Sequence, residues 1–205
     1  MENNNFNLLI VGVGGQGVIS TVQILAWTAL IEKYNVRTAE THGMAQRGGS
    51  VASFLRFGSI VEGPLIPKGQ VQIILAFEAS EAVRYFSYAG PKTLFLINDK
   101  IQVPPTVNLM DIDYPNKDQI LRFLKQITPD IFFINGTEEA LKVGNLRVLN
   151  AFMLGVLCGS ERLPLKKENL INSIMLFVPK KAQEVNNLAF ENGFKKGKSL
   201  LSESK

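Results

Sequence analysis

Apolar residues along this chain recur with two spacings. Residues 6–11, 71–77, 93–98 and 131–134 are short, nearly continuous apolar runs, as strands covered on both faces require. Residues 36–40, 51–57 and 107–112 are further strand-like runs. Elsewhere the spacing lengthens to that of a helix. Residues 17–33 carry Ile19, Val22, Ile24, Leu25, Ala29 and Leu30 on a broad face, and residues 117–127 carry Ile120, Leu121, Leu124 and Ile127 on one face. Residues 80–88, 138–143, 166–175 and 180–200 read as helices too, with Thr137 as the N-cap of the second of these. Residues 146–157 are so apolar that they predict a helix central to the core or to an interface. Strands alternating with helices predict an α/β fold: a Rossmann-like three-layer domain with a largely parallel or mixed central sheet and a helical C-terminal part. The opening strand, helix and strand predict a right-handed crossover with the two strands as parallel neighbours.

Composition narrows the picture. The 205 residues are 46% hydrophobic and 20% charged, enough to bury a sizeable core, and no internal repeat or linker divides them, so residues 1–205 read as a single domain. The net charge of +4 comes without a dense basic stripe interleaved with aromatics, so nucleic acid is not an expected partner. The polar N-terminus has no signal-like apolar core and no run reaches membrane-spanning length, so a cytoplasmic protein with no membrane partner is expected. One cysteine, Cys158, and one histidine, His42, leave neither an internal disulfide, an iron–sulfur cluster nor a His-rich metal site to this chain. No catalytic residue and no metal ligand is assigned.

The candidate chemistry sits after the first strand. Gly12, Gly14 and Gly17, within Gly12-Val13-Gly14-Gly15-Gln16-Gly17, have the spacing of a loop that turns tightly, admits a phosphate to bare backbone and feeds a helix N-terminus. A tight connection with no ligand has the same glycines. Arg47-Gly48-Gly49, in the loop after the second strand, adds a guanidinium and bare N–H groups. The predicted binding residues are therefore Gly12, Gly14, Gly15, Gln16, Gly17, Arg47, Gly48 and Gly49, side by side at one sheet edge. A structural pairing of Arg47 with Glu40 or Glu78 would give the same loop without a ligand. Glu40 ends the second strand, where dinucleotide-binding folds place a ribose-binding acid, but at a longer spacing than usual.

Together these motifs carry a resemblance. The glycine loop, then Glu40-Thr41-His42-Gly43-Met44-x-Gln46-Arg47-Gly48-Gly49, then Phe77-Glu78-Ala79 with Glu81, Ala82 and Arg84, resemble in order the gamma-type subunit or domain of the 2-oxoacid:ferredoxin oxidoreductases. Gly144-Asn145, Asn150, Leu154-Gly155 and Asn187-Leu188-Ala189-Phe190 with Gly193 extend the match, while Ser80 replaces the leucine usual in the family. The His-Gly-Met-x-Gln-Arg-Gly-Gly form is similar to that of the small subunits whose enzymes act on indolepyruvate. The resemblance implies a subunit that binds no cofactor alone. Thiamine diphosphate and iron–sulfur clusters would sit in a large (alpha) partner, ferredoxin would be reached through the complex, and the overall reaction would be oxidative decarboxylation of a 2-oxoacid to an acyl-CoA. A CoA phosphate and a partner carboxylate both remain open as the anion at the loop. Two other classes remain open: a standalone nucleotide-binding module, favoured by Glu40, and a purely structural assembly subunit, favoured by the missing cofactor ligands. Residues 146–157 and the last helix offer more apolar surface than one sheet needs, so a homodimer in isolation or a hetero-oligomer is expected.

Overall fold

The computed structural model describes residues 5–42, 48–102 and 114–203; the predicted strand at 107–112 lies outside them. Among the described residues six strands form one mixed sheet: β1 (Phe6–Val13), β2 (Asn35–His42), β3 (Ser50–Gly58), β4 (Val71–Ala76), β5 (Ala89–Asn98) and β6 (Ile131–Ile134), in the order β2-β3-β1-β4-β5-β6. β1, β4, β5 and β6 run parallel, and β3 is antiparallel to both of its neighbours.

Alternation along the strands divides the core into two. Leu8, Ile10, Ile73, Leu75, Leu94 and Leu96 face one side, under α1 (Val18–Ile31) and the C-terminal helices. Leu9, Val11, Ile74, Ala76, Phe95 and Ile97 face the other, under α2 (Ala79–Arg84) and α3 (Lys117–Leu124). The three-layer expectation holds.

The strand order corrects the opening unit. β2 is parallel to β1, but β3 lies between them, with Phe54 opposite both Leu9 and Ala39. The reason is in the side chains. β3 is buried along nearly its whole length, whereas β2 carries Arg37 and Glu40 and suits the edge. A second correction concerns α4 (Gly136–Lys142), whose N-cap is Asn135 and not Thr137. The Thr137 amide donates instead to Oδ1 of the buried Asn98 at the end of β5, at 3.0 Å.

The helical C-terminal part is built on glycine. α5 (Leu149–Gly159) is buried on every side except at Asn150, and it packs along α7 (Gln183–Glu203), while α6 (Lys167–Phe177) lies against α1. Gly155 and Gly159 on α5 meet Gly193 and Gly197 on α7. A Cβ on Gly193 would stand 2.0 Å from the Phe152 carbonyl oxygen, and one on Gly155 2.1 Å from that of Phe190. The two backbones therefore touch, as small-x-x-x-small spacing allows. This accounts for the apolar surplus expected to drive self-association: α5 and α7 bury it against each other. No helix among the described residues is long and apolar enough to cross a membrane.

Candidate functional site

In an open α/β sheet, a crevice forms at the carboxyl ends of the strands where successive connections leave in opposite directions. Here that point lies between β1 and β4. The turn after β1 is built by glycine: Gly15 and Gly17 have φ of 99° and 80°, values that side-chain-bearing residues rarely adopt. The Gln16 side chain folds back, its Oε1 accepting the Val13 amide at 2.9 Å, and fixes the turn. Gly12 lies beneath it. A Cβ there would meet Gln16, Val18 and Phe77 at 2.7–3.1 Å, so Gly12 serves packing and does not reach the open edge.

The loop before β3 lies beside this turn. The Gly14 amide donates to the Gly49 carbonyl at 2.8 Å, and the Gly48 amide to the Gly14 carbonyl at 3.4 Å. The predicted juxtaposition is present for Gly48 and Gly49, through the antiparallel β1–β3 ladder and not through adjacent parallel strands. Arg47, with residues 43–46, lies outside the described residues. Neither Gly48 nor Gly49 lines the cleft described next.

Gly15, Gln16 and Gly17 form one wall of a cleft of about 360 Å³. Lys100 and Gln102 follow β5, Thr137 opens α4, and Leu146, Arg147, Leu149 and Asn150 lead into α5. The Arg147 guanidinium, the Lys100 ammonium and the Asn150 amide have no hydrogen-bond or ion-pair partner among the described residues. α1 enters the same cleft with no side-chain cap and no acidic residue in its first turn. Its first intrahelical donor is the Thr21 amide, so the amides of Val18, Ile19 and Ser20 have no backbone acceptor in their own helix. Two cations and a helix N-terminus favour an anion. Gly17 also admits Asn150: a Cβ there would lie 2.5 Å from Asn150 Nδ2.

Sequence reasoning missed Lys100, Arg147 and Thr137 as cleft residues. The position of Lys100 just past a strand's carboxyl end could have pointed to it. Arg147 is brought in by tertiary packing of α5 alone. Glu40 is exposed on the edge strand, two strands from β1, or about 9–10 Å across the sheet. That position does not suit a ribose-binding acid beside the glycine loop.

Behind the loop, two buried carboxyl groups tie the edge together. Glu78 caps α2, accepting the Glu81 amide at 3.0 Å with one oxygen and the Gln102 amide at 3.0 Å with the other. Burial raises its pKa above the ordinary value, against the opposing effect of those amides. Glu81 accepts from the Ser50 hydroxyl and, at 3.0 Å, from Arg84 Nε, which pins the start of β3 to α2. Glu78 thus meets its partners in the backbone. Among the described residues, no group of three or more His, Cys, Asp or Glu side chains could hold a metal ion.

The arrangement defines an α/β domain with an anion-accepting edge. The chain belongs to the family described as "Pyruvate ferredoxin/flavodoxin oxidoreductase", which matches residues 7–196, and is a subunit of a 2-oxoacid:ferredoxin oxidoreductase. It is 37% identical to "Indolepyruvate oxidoreductase subunit IorB" of Pyrococcus horikoshii, over 96% of this chain and 98% of that one. The protein of the same name from Archaeoglobus fulgidus is 38% identical over 92% and 93% of the two chains. Among solved structures, the gamma subunit of a keto/oxoacid ferredoxin oxidoreductase from Geobacter sulfurreducens shares the fold, with a TM-score of 0.68 at 21% identity over 95% and 99% of the chains. The 2-oxoglutarate:ferredoxin oxidoreductase of Magnetococcus marinus matches with a TM-score of 0.69 at 21% identity, over 98% of this chain but 32% of the larger one.

Proposed function

We propose that this chain is the small subunit of an indolepyruvate-type 2-oxoacid:ferredoxin oxidoreductase, a single gamma-type domain that turns over only with a large subunit. The large subunit holds thiamine diphosphate and the iron–sulfur clusters, which supply carbanion stabilisation and electron transfer. The overall reaction converts an aryl 2-oxoacid to its acyl-CoA and passes electrons to ferredoxin. The names and near-complete coverage of the relatives support the substrate class.

The observation that carries this chain's role is the cleft itself. Lys100, Arg147 and the α1 amides are groups that hold a phosphate. We assign the cleft to the phosphates of coenzyme A. α1 also presents Ile19, Trp27, Leu30 and Ile31 to solvent, Trp27 at 44% exposure, on the side away from the sheet. That face supports docking on a partner.

The test is reconstitution. With the large subunit, indolepyruvate and CoA should reduce a viologen dye, and either chain alone should not. The double variant Lys100→Ala/Arg147→Ala should raise KM for CoA and leave kcat nearly unchanged. Turnover by this chain alone overturns the subunit reading. Weakened assembly, read as more of this chain needed for half-maximal activity, with an unchanged KM for CoA at saturation assigns the cleft to a partner carboxylate instead.

A further inference from the structure

A second cavity, of about 390 Å³, opens on the other side of Arg147 and Asn150. That volume is in the range of small-molecule sites. Its apolar walls come from four helices and a turn: Ile24 on α1, Ala151 on α5, Ile174 near the end of α6, Val178 beyond it, and Val185 on α7. Among its polar groups, Asn145 Oδ1 accepts the Arg147 amide at 2.9 Å, while others have capacity left over. Asn186 is 93% buried; its Nδ2 donates to the Ala182 carbonyl at 2.7 Å, and its Oδ1 accepts nothing among the described residues. The Arg147 guanidinium and the Lys181 ammonium stand at the rim with no hydrogen-bond or ion-pair partner among the described residues.

These features select a chemistry. Apolar walls accept a flat ring or an alkyl body. The Asn186 Oδ1, which accepts nothing among the described residues, can take an N–H donor on that body. Two cations at the mouth, without a partner among the described residues, call for a negative group next to the ring. We propose that this cavity binds a planar organic anion, a nitrogen heteroaromatic ring joined to a phosphate or a carboxylate, seated against Asn186 and held at the rim by Arg147 and Lys181. Because Arg147 and Asn150 also line the glycine-loop cleft, occupancy of the two is coupled. This site stands apart from the assignment of that cleft to coenzyme A.

The full chain serves for the test, with methyl and side-chain amide chemical shifts as the readout. Adenosine 5′-monophosphate and indole-3-acetate are the two probes, one for a nucleotide source and one for an aryl acid, and inorganic pyrophosphate reports on the glycine-loop cleft. At least one organic probe should shift the methyls of Ile24, Ile174 and Val178 and the Asn186 side-chain amide. Arg147→Ala and Lys181→Ala should each weaken that probe by about tenfold, as loss of a charge-assisted contact does. Val185→Phe should abolish its binding while pyrophosphate still shifts the glycine-loop amides, which also shows that the variant is folded. Response to the nucleotide alone or to the aryl acid alone each supports the site and names its source. The proposal fails if neither organic probe moves these resonances at millimolar concentration, or if the shifts persist in Val185→Phe. Pyrophosphate shifts without organic-probe shifts would leave the glycine-loop reading intact and remove this one.

Discussion

Glycine does opposite work at the two ends of α5. At its C-terminal half, Gly155 and Gly159 face Gly193 and Gly197, and protein backbone already occupies the space where each Cβ would go. At its N-terminus α5 meets the glycine loop. There Gly15 has a φ of 99°, and a Cβ on it would meet nothing within 4 Å. The first set lets two helices touch. The second lets the chain turn while leaving open space beside donors that have no partner among the described residues. A motif count treats all of these glycines alike; only what lies beyond each missing Cβ tells structure from site.

The largest effect should come from the helix pair. Gly193→Ala puts a methyl 2.0 Å from the Phe152 carbonyl oxygen, and neither backbone has a rotamer to yield. A loss of about 3 kcal/mol or more in urea unfolding is expected, or failure to fold, as for severe overpacking. A variant within 1 kcal/mol of the parent, taking overpacking at its mildest, would show that α5 and α7 separate easily and would break the contrast.

Gly15→Ala should cost less and for a different reason. The methyl meets no neighbour, so the penalty is the left-handed backbone alone, about 1–2 kcal/mol. The folded variant should assemble with the large subunit and bind CoA more weakly, because the displaced turn moves the α1 amides. Normal stability and normal KM together would mean that the turn tolerates side chains and that the cleft does not depend on it.

Glu78 probes the wall behind the cleft. Its carboxyl has an ordinary value of 4.5, raised in the fold by burial. The folded protein therefore holds this proton more tightly than the unfolded chain does. In the window from 4.5 up to the raised value, the unfolded chain binds fewer protons, so this group's contribution to stability falls as pH rises and is level above the window. Glu78→Gln should remove that slope. Melting temperatures of parent and variant across mildly acidic to neutral pH should diverge in this sense, the variant losing less on the way up. Parallel curves would show that Glu78 keeps an unshifted carboxyl.

Much of the fold was legible because alternation and helical spacing are local signals. The apolar runs at β1, β4, β5 and β6 and the long spacing of α1 and α7 are visible without tertiary information. Strand order was not. Nothing near β1 states that β3 will take the place beside it; that follows only from comparing how apolar β3 is with how polar β2 is, a competition decided in the assembled sheet. The same holds for the site. Gly14 to Gly17 announce themselves by spacing, whereas Arg147 and Asn150 stand more than a hundred residues away and reach the loop because Gly17 makes room for Asn150. The spacing of Gly155 to Gly159 and Gly193 to Gly197 is plain in the sequence, yet it does not say that those two helices meet.

The smallest change in stability should come from Arg147→Ala, and that is what makes it the sharpest probe of the cleft. Arg147 is exposed, at the end of a short turn, and its guanidinium supports no other described residue. Removing it should alter unfolding free energy by no more than about 0.5 kcal/mol. If the glycine loop merely connects a strand to a helix, reconstituted activity should be as indifferent as stability. If the open glycines leave room for an anion, Arg147 is one of two cations facing it. The variant complex should then need more CoA for half-maximal rate, with an effect that shrinks as salt is added and screens the missing charge. An unchanged melting temperature with a raised, salt-sensitive KM separates this end of α5 from the other, where no substitution can be silent in stability. An unchanged KM at every salt concentration would make the cleft an empty consequence of the turn.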